Sequence, residues 1–103
     1  MFIHKFEGHD HGDEDAWEAH IKIEIRDEFD EKAAFTRVVV RWTGSESGRT
    51  ALVADKDGKI DTRLGEFGAA GLTFEIVDVQ LDGFVYRPKL NEEPASIFIE
   101  GPN

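Results

Sequence analysis

The segment WEAHIKIEIR, residues 17–26, decides the fold predicted for this chain. Its apolar side chains fall at every second position, at Trp17, Ala19, Ile21, Ile23 and Ile25, and the residues between them are charged or polar. Successive side chains of a β-strand point to opposite faces, whereas a helix would spread these residues around its circumference. The segment is therefore predicted to be a strand with one apolar face, which needs a second layer to cover it.

Short segments of the same kind recur along the chain, separated by turn sequences rich in glycine and aspartate. The sequence Asp55-Lys-Asp-Gly-Lys59 is typical of a hairpin turn. Besides residues 17–26, strands are predicted at residues 2–6, 35–43, 49–54, 60–64, 72–79 and 96–100, with an extended segment at 84–86. This pattern predicts one domain, residues 1–103, folded as an all-β antiparallel sandwich of about seven strands.

The predicted core consists of apolar residues from the alternating positions. They are Trp17, Ile21, Ile23, Ile25, Val38, Val40, Trp42, Phe74, Ile76, Ile97 and Ile99. The alternation changes phase near Asp78, which predicts a bulge or a change of partner there. Residues 7–15 and 65–71 are predicted to be loops, because they are rich in glycine and charge or in glycine and alanine.

Composition excludes several functional classes. Twelve basic and 22 acidic residues give a formal charge of −10, so binding to nucleic acid or to anionic membranes is not expected. No apolar run approaches the ~20 residues that a membrane span needs, so no membrane insertion is expected. The chain has no cysteine, which excludes disulfides and thiolate metal sites.

The order of these patterns resembles bacterial immunoglobulin-like modules, akin to invasin-type repeats, found beside secreted hydrolases and on cell-surface proteins. The resemblance spans roughly residues 2–100. Its carriers are Trp17, Ala19, Ile21, Asp27, Trp42, Gly44, Asp55, Gly58, Phe74, Val79, Tyr86, Pro88 and Asn91. It implies an immunoglobulin-like sandwich that serves as a non-catalytic accessory or spacer module, located outside the cell or at its surface within a larger protein.

The histidines near the first predicted loop form one candidate metal site. His9, His11, Asp13 and Asp15, together with Asp10 and Glu14, offer imidazole and carboxylate ligands, which suit zinc, nickel or copper. His4 and His20 are further candidate ligands for the same site. His9 and His11 point the same way if the backbone is locally extended. The alternative is a solvated acidic loop, which the flanking glycines favour because they provide little support for ligand rings.

A second candidate is a calcium site at Asp55, Asp57 and Asp61. These residues match oxygen-ligand positions of an EF-hand loop, but Lys59 and Ile60 depart from that pattern and no helices flank it. A hairpin turn is the favoured interpretation, and calcium held instead by the loops that carry Asp27, Asp30 and Asp82 is the alternative. No resident cofactor is expected. A divalent cation is the alternative, at either of these two candidate sites.

No nucleophile motif or phosphate loop is present, so an enzyme is not expected. The pattern does not determine which way the aromatic rings of five residues face, namely Phe2, Phe29, Phe67, Phe84 and Tyr86. Exposed aromatic rings can stack on sugars. The expected partners are neighbouring domains of a parent chain, with a polysaccharide or a protein ligand as the alternatives.

Overall fold

The computed structural model describes residues 1–13, 15–68 and 71–102. Within these residues the chain forms seven strands and one 3-10 turn. They are β1 (Phe2–Gly12), β2 (Trp17–Arg26), β3 (Arg37–Gly44), β4 (Gly48–Val53), β5 (Lys59–Phe67), β6 (Leu72–Gln80), the 3-10 turn (Pro88–Leu90) and β7 (Ser96–Ile99). No helix among the described residues has the length and apolar character needed to span a membrane.

The strands form two antiparallel sheets. One sheet has the order β1-β2-β5 and the other has the order β4-β3-β6-β7. The strand predicted from residues 17–26 is the centre of the three-stranded sheet, where it pairs with β1 and β5. The predicted all-β antiparallel sandwich of about seven strands is confirmed.

The core lies between the sheets and consists of the apolar faces of their strands. Of the eleven core residues predicted, nine are buried, while Trp42 and Ile97 are partly buried and pack against the core. The alternation of β2 is also confirmed, because Trp17, Ala19, Ile21, Ile23 and Ile25 are all buried. Burying an isoleucine side chain contributes about 1.5–3 kcal/mol, so the three isoleucines of this face anchor the three-stranded sheet.

An aromatic cluster joins the two sheets at one end of the sandwich. The Phe67 ring of β5 lies 5.2 Å from Trp17, 5.6 Å from Trp42 and 5.9 Å from Phe74, measured between ring centroids. Gly48 faces Trp42 across the β3–β4 pair, and a Cβ there would lie 2.3 Å from the indole. The small residue is required because the ring occupies the space of a side chain.

The prediction of a loop over residues 7–15 is wrong for residues 7–12, because β1 continues to Gly12. The polar side chains that suggested a loop lie on the solvent face of an antiparallel pair, where Glu7 is opposite Lys22 and His11 is opposite Glu18. Cross-strand pairs of opposite charge stabilise such a face. Glu14 lies outside the described residues.

The prediction of a loop from residue 65 is also wrong at its start, because β5 continues to Phe67. A register shift between Trp17 and Glu18 of β2 places Trp17 opposite Phe67, so the phenyl ring enters the core. Aromatic burial outweighs the weak strand preference of glycine here. Ala69 and Ala70 lie outside the described residues.

The bulge predicted near Asp78 is confirmed. Val39 pairs with Asp78 and Val40 with Ile76, so Val77 has no partner in the β3–β6 ladder. An extra residue of this kind reverses the facing of the side chains that follow it. Ile76 and Val79 are consequently both buried although three positions separate them.

We use the name loop pole for the end of the sandwich formed by the connections 27–36, 54–58 and 81–87. Backbone hydrogen bonds join the connections 27–36 and 54–58 to each other and the connection 81–87 to Met1. Phe35 N–H donates to the Asp55 carbonyl at 3.1 Å, and Arg87 N–H donates to the Met1 carbonyl at 2.7 Å. The loop pole is therefore an ordered surface.

Candidate functional site

The four residues of the predicted transition-metal site do not converge. His9 and His11 lie two residues apart on the exposed face of β1. Asp13 instead forms the β1–β2 turn, where its Oδ1 accepts the backbone N–H groups of Asp15 at 3.1 Å and Ala16 at 3.2 Å. Its carboxylate thus stabilises the turn, as is common for aspartate in this setting.

Pairing of β1 with β2 brings His9 to His20, a contact that the sequence pattern did not predict. The rings meet edge to face with centroids 4.8 Å apart, and His20 also reaches Asp61 of β5. The distances are 3.3 Å from His9 Nε2 to His20 Nδ1 and 2.6 Å from His20 Nε2 to Asp61 Oδ1. Since a carboxylate only accepts, His20 donates from Nε2, and in its neutral form it accepts from His9 at Nδ1.

The hydrogen bond from His20 lowers the pKa of the Asp61 carboxyl below its ordinary value, with smaller effects from nearby positive charges. A carboxyl whose pKa is depressed on folding stabilises the fold above its unfolded pKa. That stabilisation is lost as the pH falls through the folded pKa. The interaction therefore operates at neutral pH and weakens only in acid.

Replacing His20 by valine should raise the pKa of Asp61 towards its ordinary value, because the main cause of its depression is removed. The measurement is a titration of the carboxyl carbons by NMR. Asp55 is the internal control, since its low pKa arises mainly from backbone N–H donors and should not move. An unchanged Asp61 midpoint would contradict the assigned hydrogen bond.

The three carboxylates of the predicted calcium site have separate roles in the structure. Asp55 Oδ1 accepts hydrogen bonds from the backbone N–H groups of Asp57 at 2.8 Å and Lys59 at 3.0 Å. These bonds lower the pKa of the Asp55 carboxyl, and the bond from Lys59 has the larger effect. Asp57 lies 3.3 Å from Lys32 Nζ, and Asp61 pairs with His20. Asp55 and Asp57 thus lie in a tight turn, in which the Asp55 N–H also donates to the Lys59 carbonyl at 2.9 Å. The predicted hairpin is wrong, because this turn joins β4 to β5, which belong to different sheets and do not pair with each other.

Among the described residues, one group of three potential ligands does converge, and it is formed by His4, Asp30 and Glu92. Their ligand atoms all lie within 4.8 Å of one another. His4 Nδ1 is 2.8 Å from Glu92 Oε1. The three residues come from β1, the β2–β3 connection and the β6–β7 connection, so no local sequence pattern could have grouped them.

The most distinctive surface is apolar and lies at the loop pole. Five of the seven exposed large apolar side chains of the described residues lie in its connections or at the adjoining end of β4. They are Phe29, Phe35, Val53, Phe84 and Val85. Phe29 is 75% exposed and Val85 is 65% exposed. Contiguous exposed apolar groups typically mark interaction sites, whereas scattered ones need no explanation.

A hollow of about 300 Å³ opens between the β2–β3 and β6–β7 connections. Its walls include Met1, Phe29, Phe84 and Val85, with Glu28 at one side. The volume matches the lower range for small-ligand pockets and suffices for one large side chain of a partner.

A buried aspartate holds the connection that carries Phe29. Asp27 Oδ1 accepts the backbone N–H groups of Phe29 at 2.9 Å and Glu31 at 3.1 Å. Its carbonyl accepts the N–H of Asp30 at 3.0 Å. The loop is therefore shaped by one side chain, and Phe29 is displayed in a set position.

The start of the chain holds the connection that carries Phe84 and Val85. The Met1 ammonium donates to the Val85 carbonyl at 2.6 Å. Asn91 accepts the N–H of Ile3 at 2.8 Å and donates to the Tyr86 hydroxyl at 2.9 Å. These bonds give Tyr86 and Asn91 structural roles next to the apolar surface.

One feature of the sequence, an isolated aromatic residue in a polar segment, relates to this surface, but the spacing of residues does not reveal its role. Phe29 lies alone within the polar segment Asp27–Lys32, where an apolar side chain has no neighbours of its kind in sequence. Phe84 is likewise preceded by Asp82 and Gly83. Only the folding of both connections to the same pole places the two rings on one surface.

The resemblance to bacterial immunoglobulin-like modules remains a prediction from sequence patterns. No protein-family model matches the chain, and neither the curated proteins nor the solved structures contain a match to it.

Proposed function

We propose that this protein is a non-catalytic binding module that recognises a protein partner through the loop pole. The observation that carries the proposal is the exposure of Phe29, Phe84 and Val85 around one hollow at the loop pole. Aromatic side chains in partly desolvated pockets provide much of the binding energy of protein interfaces. Loops at one end of a rigid sandwich are also a common location for binding residues.

The charge near this surface favours a basic partner. Glu28, Glu31 and Asp82 are exposed in the connections that carry the two rings, against Arg87 in the lining of the hollow, and the whole chain carries a formal charge of −10. Complementary charge steers association and selects among partners. The proposed occupant is a polypeptide segment with an apolar anchor residue flanked by lysine or arginine.

Selection from a random peptide library displayed on phage tests this proposal. Enriched peptides should combine an aromatic or large aliphatic residue with basic residues. In NMR titrations they should shift the amide signals of residues 27–36 and 81–87. Phe29→Ser and Phe84→Ser should each weaken binding at least tenfold, in line with the loss of an interface anchor.

Phe98→Ser is the matched control, because Phe98 is also exposed but lies on β7, away from the loop pole. It should leave peptide affinity unchanged. Peptides that shift only residues outside the loop pole would overturn the proposal. Oligosaccharides that shift the same residues while peptides do not would instead support a carbohydrate-binding module.

A second candidate function, favoured by a separate observation, is that of an accessory or spacer module in a larger extracellular or cell-surface protein. Met1 lies at the loop pole, whereas Gly101 packs near the Trp17 indole at the opposite pole. The molecule is 43 Å long and 24 Å wide, so neighbours joined at the two ends would be held apart. Failure of every peptide and oligosaccharide to bind would overturn the first proposal and leave this one, which needs no ligand.

A further inference from the structure

We propose that His4, Asp30 and Glu92 form a binding site for a divalent transition metal, with zinc as the expected ion. This inference does not depend on the proposed partner-binding function. The ligand atoms of the three residues already lie within 4.8 Å of one another. An imidazole and two carboxylates form a ligand set that zinc accepts, and the two carboxylates balance its charge.

The distances require only a small adjustment. Ligand atoms around a tetrahedral zinc ion lie about 3.3–3.6 Å apart, given bond lengths of about 2.0–2.2 Å. His4 Nδ1 and Glu92 Oε1, now 2.8 Å apart, would separate slightly as the ion replaces their hydrogen bond. The most distant pair would approach by about 1.5 Å at most, which side-chain rotation of the exposed Asp30 and Glu92 can supply.

Backbone hydrogen bonds join the Glu92 connection to β1 and hold the turn that carries Asp30. Glu92 N–H donates to the Ile3 carbonyl at 2.9 Å, which ties the β6–β7 connection beside His4. Asp30 N–H donates to the Asp27 carbonyl at 3.0 Å. Ligands held in this way lose less conformational entropy on binding than ligands on free loops.

Arg26 orients the Asp30 carboxylate from outside the site. Its Nη1 is 3.0 Å from Asp30 Oδ1, and its Nε is 2.9 Å from Glu24 Oε2. Outer hydrogen bonds to ligating carboxylates fix their orientation and support metal affinity. Glu24 partly neutralises the guanidinium charge, which reduces its repulsion of a cation.

The expected consequence of binding is a bridge between three separate parts of the chain, namely β1 and the β2–β3 and β6–β7 connections. Zinc should therefore raise the melting temperature of the intact protein, since a ligand that binds only the native state stabilises it. The fourth coordination position remains available to water.

Titration with zinc chloride, followed by calorimetry and by NMR of the histidine ring signals, tests the site. The His4 signals should shift first and selectively. Glu92→Gln should weaken zinc affinity at least tenfold, because it removes a charged ligand and keeps the shape of the side chain. His4→Ala should weaken it at least as much and should abolish the rise in melting temperature.

Glu93→Gln and His11→Ala are the matched controls, because both residues are exposed but are not part of the cluster. They should leave zinc affinity unchanged. The proposal is overturned if the controls and the site variants weaken binding equally, if the His9 and His20 signals shift before that of His4, or if millimolar zinc produces no selective shift.

Discussion

Replacing Phe74 by alanine is expected to lower the free energy of unfolding by about 3–5 kcal/mol, the usual range for removing a buried phenyl ring. Phe74 is fully buried on β6 and lies 5.9 Å from Phe67 and 6.2 Å from Trp42, measured between ring centroids. Alanine would leave a cavity in the cluster that joins the two sheets. Urea denaturation followed by tryptophan fluorescence measures the loss.

Phe98→Ala is the control for this substitution. Phe98 lies on β7, which pairs with β6, but its side chain is 65% exposed on the other face of the same sheet. Its replacement should cost less than about 1 kcal/mol, as is usual for surface positions. Similar losses for both variants would show that the aromatic cluster does not provide the stability assigned to it.

Replacing Gly58 by alanine is expected to destabilise the fold by about 2–5 kcal/mol, combining backbone strain with overpacking. Gly58 has a φ of 72°, and an added Cβ would lie 2.6 Å from the Ile25 carbonyl oxygen and 3.0 Å from the Ala33 backbone nitrogen. Backbone atoms cannot rotate away as side chains do. The Gly58 carbonyl also accepts the N–H of Ile25 at 2.9 Å, so a displaced turn would lose that bond.

Gly83→Ala separates the two contributions. Gly83 has a similar φ of 84°. A Cβ added to it would have open space around it, because no heavy atom of the described residues lies within 4 Å except those of the adjacent residues in the chain. This variant should lose only about 1–2 kcal/mol, the cost of the left-handed conformation. Thermal and urea denaturation of both variants give the difference, and equal losses would mean that contact with Ile25 has no energetic effect.

Much of the fold was predictable because it depends on local alternation. The apolar phase of β2 and the change of phase near Asp78 are properties of short segments, and both predictions are confirmed. A tight turn forms at Asp55–Lys59, but the predicted hairpin is wrong because the strands that the turn joins lie in different sheets. Other errors occurred where polar side chains belong to a strand. Residues 7–12 have the charge density of a solvated loop, yet they belong to β1 because one face of an antiparallel sheet accepts charged side chains.

The candidate sites were less predictable, because they depend on residues distant in sequence. The histidine cluster of residues 9–15 pointed to His9 and His11, whereas the structure pairs His9 with His20 and groups His4 with Asp30 and Glu92. The register of β1 against β2 brings His9 to His20, and the packing of the β2–β3 and β6–β7 connections beside β1 groups His4 with Asp30 and Glu92. Neither depends on a spacing that can be read along the chain.

The amino-acid sequence by itself determined that this protein is an antiparallel sandwich and which alternating side chains of strands such as β2 enter its core, because a period of two is a local property of the strand. The tertiary structure alone decided which surfaces are available for function. It brought Phe29 and Phe84 to one pole and three ligands to one cluster, because the ends of distant strands meet only after both sheets have formed.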